Sequence, residues 1–327
     1  MTKKRVLSGI QPTGKLHLGN LIGAVENWVK LQEKYDCFFF IADLHALTSA
    51  YDESSKIKDI STEVMIDLLA AGIDPKKSVV FRQSRLCEHS ELHLLFSMIT
   101  PLPWLERVPT YKSKIAELKG KDLGTYGFLG YPVLQAADIL MYKADYVPVG
   151  QDQLPHIELT REIARRFNYY YGEVFPVPQD LLTEFPVLPG IDGRKMSKSY
   201  GNTIEISDPP EVVRKKVLTM ITDPARVKRE DKGHPEVCSV YDFYNIFGKD
   251  RKDKVAGECR EAGRGCVECK KEMADILAEY LAPIYQRRLE LNKNRGEIEQ
   301  ILEKGEGRAR QIASQTMLEV RRAMGII

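Results

Sequence analysis

Lys195 and Lys198 sit with Ser197 and Ser199 in a loop bounded by Gly193 and Gly201. Ammonium groups at that spacing, on a backbone that glycine leaves mobile, suit a loop that closes over a polyphosphate. A second polar stretch, His17-Leu18-Gly19-Asn20, lies between an expected strand at 6–10 and a helix expected from residue 21. A helix start of that kind offers free N–H groups and a positive dipole end to an anion, and Gly19 leaves room for a flat base. Taken singly, the first stretch also reads as a solvated turn and the second as a helix cap. Asp138 shares a helical face with Gln135 and Tyr142 and interrupts an apolar pattern. It is either a half-exposed edge or the floor of an apolar pocket, where a buried carboxylate waits for a ligand donor. Cys238, Cys259, Cys266 and Cys269 are spaced C-x20-C-x6-C-x2-C. Four thiolates hold zinc or an iron–sulfur cluster, His234 is a substitute for Cys238, and unrelated thiols are the alternative.

The elements that must position these residues alternate. Apolar runs at 37–42, 78–81 and 147–149 read as strands. Spacings of three and four over 57–71, 88–100 and 131–141 read as helices, and Gly150 opens another. The pattern predicts an α/β fold: a doubly wound, Rossmann-type parallel sheet with ligands beyond the carboxyl ends of its strands. Asp43, His45 and Gly150-Gln151-Asp152-Gln153 fall where that rule puts a site, with loop solvation or a helix cap as the simpler alternatives. Residues 105–130 read as a glycine-rich insertion in which Lys112 and Lys114 are surface charge or phosphate ligands. Beyond the lysine loop strand signals fade. We therefore expect a catalytic domain at 1–190, the loop at 191–204 and a helical domain at 205–327, the apolar stripe of its last helix broken at Gly305 and Gly307. Arg214, Lys215, Lys216, Arg226, Lys228 and Arg229 form a basic cluster that faces either solvent or an RNA end.

Composition narrows the class. A net charge of +2 does not demand a nucleic-acid partner, so any such surface is local. The longest apolar run is too short for a bilayer and the first residues carry no signal region, which points to the cytoplasm. Six cysteines there read as thiols or metal ligands.

Together, Lys195-Met196-Ser197-Lys198-Ser199 and His17-Leu18-Gly19-Asn20 closely resemble the two signatures of class I aminoacyl-tRNA synthetases. Further strings cover nearly the whole chain: 8–14, 42–48, 131–140, 147–166 and 222–226. These resemble the bacterial-type tryptophanyl branch. The resemblance implies ATP and Mg²⁺, with Gln11, Pro12, Thr13, His17, Gly19, Asn20, Gly150, Gln151, Asp152, Val187 and the 195–199 loop around the nucleotide. Lys195, Lys198 and Lys114 would act on the phosphates. Asp138 would accept the indole N–H, with Tyr131, Gln135, Gln153, His45 and Gln11 around the amino acid. It also implies tRNA(Trp) as partner, a homodimer, no DNA and no membrane, and a [4Fe–4S] cluster on the four cysteines, with zinc the alternative. Gln135 departs from the Met of many members and keeps tyrosine open as substrate. A non-catalytic RNA-binding paralogue is the other alternative.

Overall fold

The computed structural model describes residues 3–109, 111, 123–182 and 188–327. Five parallel strands form one sheet: β1 (Arg5–Ile10), β2 (Asp36–Ile41), β3 (Ser78–Arg82), β4 (Tyr146–Val149) and β5 (Gln179–Leu182). Their order is β3-β2-β1-β4-β5. The chain winds one way from β1 through β2 and β3, then returns to wind the other way through β4 and β5. The loops leaving β1 and β4 therefore diverge, which opens a crevice between those strand ends. β1 and β2 pair in register from Arg5↔Asp36 to Ile10↔Ile41.

Strand periodicity divides the core. Val6, Phe39 and Val80 point to one face, Leu7, Phe38, Phe40, Val79 and Phe81 to the other. Burial on both faces explains why 37–42 reads as an unbroken apolar run. Trp28 stacks on Phe39 at 4.7 Å on the first face, and Phe38 on Tyr142 at 5.3 Å on the second. Such pairs add about 0.5–1.5 kcal/mol each beyond area burial.

A π-helical turn, Leu21–Val25, leads from the first signature into α1 (Glu26–Leu31). The helices that follow are α2 (Asp43–Ala50), α3 (Ser54–Ala71), α4 (Glu88–Ser97), α5 (Leu102–Glu106), α6 (Tyr126–Met141) and α7 (Leu154–Tyr171). Asp43 and His45 thus lie in a helix that starts directly at the end of β2. Beyond the lysine loop come α8 (Pro210–Leu218), α9 (Ser239–Phe247), α10 (Lys252–Arg260), α11 (Cys266–Lys293) and α12 (Arg295–Ala323).

Helix α12 is continuous through Gly305 and Gly307, where its apolar stripe is interrupted. A Cβ on Gly305 would lie 1.8 Å from the Val80 carbonyl oxygen, so this glycine serves close approach and not a turn. The helix crosses the β3 edge there, placing Ile298 and Leu302 in one core and Ala309, Ala313 and Met317 in the other. Arg82, at the end of β3, bonds Glu306 at 2.7 Å and Glu299 at 2.6 Å. The last helix therefore covers an otherwise open sheet edge. Among the described residues no helix is long and apolar enough to cross a membrane.

Candidate active site

The first signature folds as a reciprocal cap. The Asn20 N–H donates to His17 Nδ1 at 3.2 Å, and the His17 N–H donates to Asn20 Oδ1 at 3.1 Å. Burial, and then the charge of Lys198, pull His17 down to about 4. The ring is neutral at pH 7, and with Nδ1 accepting, Nε2–H is left as a donor. Leu18 N–H donates to the Ile204 carbonyl at 2.8 Å. Two of the N–H groups that the sequence offered to an anion are thus already committed within the protein.

The second signature is braced from inside by Asn202, which is 1% exposed. Its Oδ1 accepts the Ser197 N–H at 2.8 Å, and its Nδ2 donates to Asp192 Oδ1 at 2.7 Å and the Lys195 carbonyl at 3.1 Å. Met196 is buried in the core and pins the loop. Lys198 reaches across to the first loop, donating to the Gly14 carbonyl at 2.7 Å. Gly14 has a φ of +130°, which lets that carbonyl turn toward the lysine. Burial pulls Lys198 down to about 8, while the Asp67 and Glu205 carboxylates oppose this. An antiparallel bridge between His17 and Glu205 completes the union of the two signatures.

A cleft of about 530 Å³ opens at the diverging ends of β1 and β4. Gln11, Gly19, Asn20, His45, Gln135, Asp138, Gly150, Asp152, Gln153 and Lys195, all singled out from sequence, line it. Pro12, Thr13, His17, Gln151, Met196, Ser197, Lys198 and Ser199 do not reach its wall but lie on the loops around it. Tyr131 is also displaced: it packs in a neighbouring apolar cluster, its ring 5.5 Å from Phe128 and 5.4 Å from His156. Val187, Lys112 and Lys114 lie outside the described residues.

Asp138, on α6, is the floor and is 1% exposed. It is already paired, contrary to the expectation that it waits for a ligand alone. His45 Nε2 meets Oδ2 at 2.7 Å, while Gln83 Nε2 and His89 Nδ1 each meet Oδ1 at 2.7 Å. Tyr142 supplies its hydroxyl to His89 Nε2 at 2.8 Å. Burial keeps that phenol protonated, so it donates and leaves the His89 proton on Nδ1, facing Asp138. Burial alone would raise the Asp138 carboxyl, but the bonds from His45 and His89 hold it below the usual carboxylate range. A carboxylate has about four acceptor positions, so three protein donors leave one for a ligand. Gln83 and His89 were not singled out from sequence. Gln83 follows the carboxyl end of β3, the position rule that pointed to Asp43 and His45. His89 carries no comparable signal within its helix.

The four cysteines gather around the start of α11. Cys238 precedes α9, Cys259 lies on α10, and Cys266 and Cys269 lie in the first turn of α11. Charge interactions link Cys269 to Cys238, Cys238 to Cys259, and Cys259 to Cys266. Burial pushes the Cys238 and Cys259 thiols up and Cys269 to about 11. All are free thiols, and among the described residues no three His, Cys, Asp or Glu side chains converge as a metal site. His234 Nδ1 meets Asp223 Oδ2 at 2.9 Å, a bond that orients the ring and does not involve Nε2. In the basic cluster, Arg214 is bound to Asp275 and Lys216 to Asp208. Lys228, Arg229 and Lys271 line a separate hollow of about 590 Å³ beside Cys266.

Residues 2–282 match a family model described as tRNA synthetases class I (W and Y). A tryptophan–tRNA ligase from Thermotoga maritima is 53% identical over 326 residues, covering 99% of each chain. One from Aquifex aeolicus is 46% identical, covering 98% of this chain and 100% of its own. The crystal structure of tryptophanyl-tRNA synthetase from Campylobacter jejuni, complexed with ADP and tryptophan, superposes with a TM-score of 0.88 at 36% identity, covering 98% of this chain and 99% of its own.

Proposed function

The chain belongs to the class I tRNA synthetases of the tryptophan and tyrosine group, and from that premise we propose how its cleft joins tryptophan to tRNA. It is a tryptophan–tRNA ligase. The substrate carboxylate attacks the α-phosphate of ATP and pyrophosphate leaves; a ribose hydroxyl of tRNA(Trp) then attacks the adenylate and AMP leaves.

The observation that carries the substrate reading is Asp138, an ionised carboxylate 1% exposed at the cleft floor with one acceptor position left. An indole N–H fills it; phenylalanine leaves it empty in a dry site, at a cost of about 1–3 kcal/mol. Gln135, one helical turn away, and Gln153 and Gln11 also line the cleft and surround the rest of the amino acid. The relatives at 43–53% identity over nearly the whole chain are tryptophan enzymes, which weighs against tyrosine despite Gln135.

The remaining residues act on ATP. Asn20, Gly19, Gly150 and Asp152 line its end of the cleft, and neutral His17 keeps a donor without adding charge. Lys195 lines the cleft directly. Lys198 now holds a carbonyl and, at 3.5 Å, the Thr13 hydroxyl. A phosphate is the stronger acceptor, so both lysines turn to the triphosphate and stabilise charge on the leaving oxygens. For Val187 and Lys114, which lie outside the described residues, a nucleotide role rests on the family resemblance alone. Asp138 is committed and Asp152 accepts from Gln153 at 2.9 Å, so Mg²⁺ fits as a companion of the phosphates, where it adds charge neutralisation, and not in a protein cage.

The chain of four neighbouring thiols, with Arg226 donating to Cys259 Sγ at 3.7 Å, supports a [4Fe–4S] centre, zinc being the alternative. As they stand the sulfurs do not converge, and holding a cluster requires them to turn inward. Its distance along the chain from both signatures makes the role structural or tRNA-positioning. Protein purified without oxygen is expected to be brown; colourless protein with about one zinc per chain overturns iron. Exposed Leu94, Met98, Leu102 and Tyr126 support a homodimer, and six free thiols suit the cytoplasm.

The test of function is ATP–pyrophosphate exchange with each amino acid. Exchange with tryptophan and little with tyrosine or phenylalanine is expected; equal exchange with tyrosine would overturn the assignment.

A further inference from the structure

A buried ion pair joins the helical region to the first signature loop. Asp67, on α3, is fully buried; Arg288, on α11, is 5% exposed. Arg288 Nη1 donates to Asp67 Oδ1 at 2.5 Å. The other carboxylate oxygen, Oδ2, accepts the backbone N–H of Leu16 at 2.9 Å. Leu16 immediately precedes His17, and its carbonyl accepts the Ile206 N–H at 3.0 Å. One residue at the root of the signature is thus clamped on both sides, by the ion pair and by the segment that follows the lysine loop.

Stability alone does not call for this arrangement. Two charges taken out of water lose several kcal/mol of hydration each, and apolar residues of the same volume often serve as well. An apolar pair, however, would leave the Leu16 N–H without an acceptor and its direction undefined. Asp67 also acts on the second signature: its charge is the larger of the two that oppose the loss of the Lys198 proton. Arg288 is itself held by Glu63, which also binds Arg295 at 2.5 Å. Helix α11 touches the same region again through the Tyr280 hydroxyl, which donates to Glu26 just past the π-helical turn.

We propose that Asp67 and Arg288 are positioning residues for ATP, fixing through the Leu16 N–H the loop that carries His17 and Asn20. Neither touches the cleft. The proposal rests on the assigned ligase activity, which the wild-type protein tests separately through tryptophan-dependent exchange.

Asp67→Asn keeps the shape of the side chain. Its single carbonyl oxygen serves either Leu16 or Arg288, and its NH2 group faces the other donor. The expected result is an ATP KM raised about tenfold with the tryptophan KM within about twofold, the size of one buried hydrogen bond misplaced. Arg288→Lys, which keeps the charge but loses the planar fork, moves ATP KM in the same direction by about threefold. Glu306→Gln is the control: it weakens a comparably buried pair with Arg82 at the sheet edge, which makes no bond to Leu16, and lowers the unfolding temperature with ATP KM unchanged. The proposal is overturned if Asp67→Asn and Arg288→Lys lower the unfolding temperature but leave ATP KM unchanged. It is equally overturned if both substrates' KM values rise together, or if Glu306→Gln raises ATP KM as much. Should Asp67→Asn not fold, Arg288→Lys decides by the same criteria.

Discussion

Replacing His89 by phenylalanine isolates what holds the Asp138 charge. The ring already packs among aromatics, 6.3 Å from Phe40, 6.1 Å from Phe81 and 5.5 Å from Tyr142, so a phenyl group fits its place. What changes is polar. Asp138 loses one of three donors, and the Tyr142 hydroxyl loses its acceptor. A hydrogen bond to a charged group is worth about 1.5–3 kcal/mol and an orphaned buried hydroxyl costs about 1–3 kcal/mol. A loss of roughly 2.5–6 kcal/mol follows from those two ranges, enough to lower the unfolding temperature by several degrees. The wild-type Asp138 carboxyl lies below its ordinary range, so its contribution to stability is complete at neutral pH and is lost as pH falls through the folded value. In the variant the carboxyl rises, so that loss begins at higher pH, and so does the loss of tryptophan binding. Titration calorimetry with tryptophan between pH 5 and 8 reads this directly. Wild-type affinity should stay nearly flat while His89→Phe weakens toward the acid end. Unchanged melting together with flat, wild-type affinity would refute the reasoning.

The other predictions concern the phosphate end of the cleft. Lys195→Ala and Lys198→Ala should each slow pyrophosphate exchange by a factor of about 10²–10³ while leaving tryptophan affinity near wild type, since each charge acts chiefly in the transition state. Because Lys198 titrates at about 8 in the free protein, kcat/KM for ATP should fall as pH rises through that value, and Lys198→Arg should move the fall to higher pH. Asn202→Ala removes three hydrogen bonds from inside the lysine loop and should raise ATP KM several-fold in the same assay, with tryptophan binding by calorimetry unaffected.

What the sequence reveals of this molecule is what is written locally. The strand at Asp36–Ile41 and the helix at Ser54–Ala71 carry their own periodicity, and the two signatures carry their own spacing. The strand Gln179–Leu182 does not: it sits at the sheet edge, half-exposed, and its mixed residues give no apolar run. Contacts between distant elements are equally silent. Nothing in Glu88–Ser97 marks His89 as the partner of a carboxylate 49 positions later, because only the packing of α4 on α6 brings them together. Gly305 shows the same limit from the other side. A glycine in a helical pattern reads only as a gap in the apolar stripe until a carbonyl from β3 is seen against it. The cysteines are legible as a cluster by spacing, and the fold does bring them into one neighbourhood, but spacing does not set where their sulfurs point.

The central claim is that the buried Asp138 carboxylate selects tryptophan, and the ratio of exchange kcat/KM for tryptophan over phenylalanine tests it most directly, measured for wild type and Asp138→Ala at pH 7.5. The account predicts a high ratio for the wild type and a collapse of at least about tenfold in the variant, as the penalty for a ligand lacking an N–H disappears. An unchanged ratio in a folded Asp138→Ala protein would contradict it.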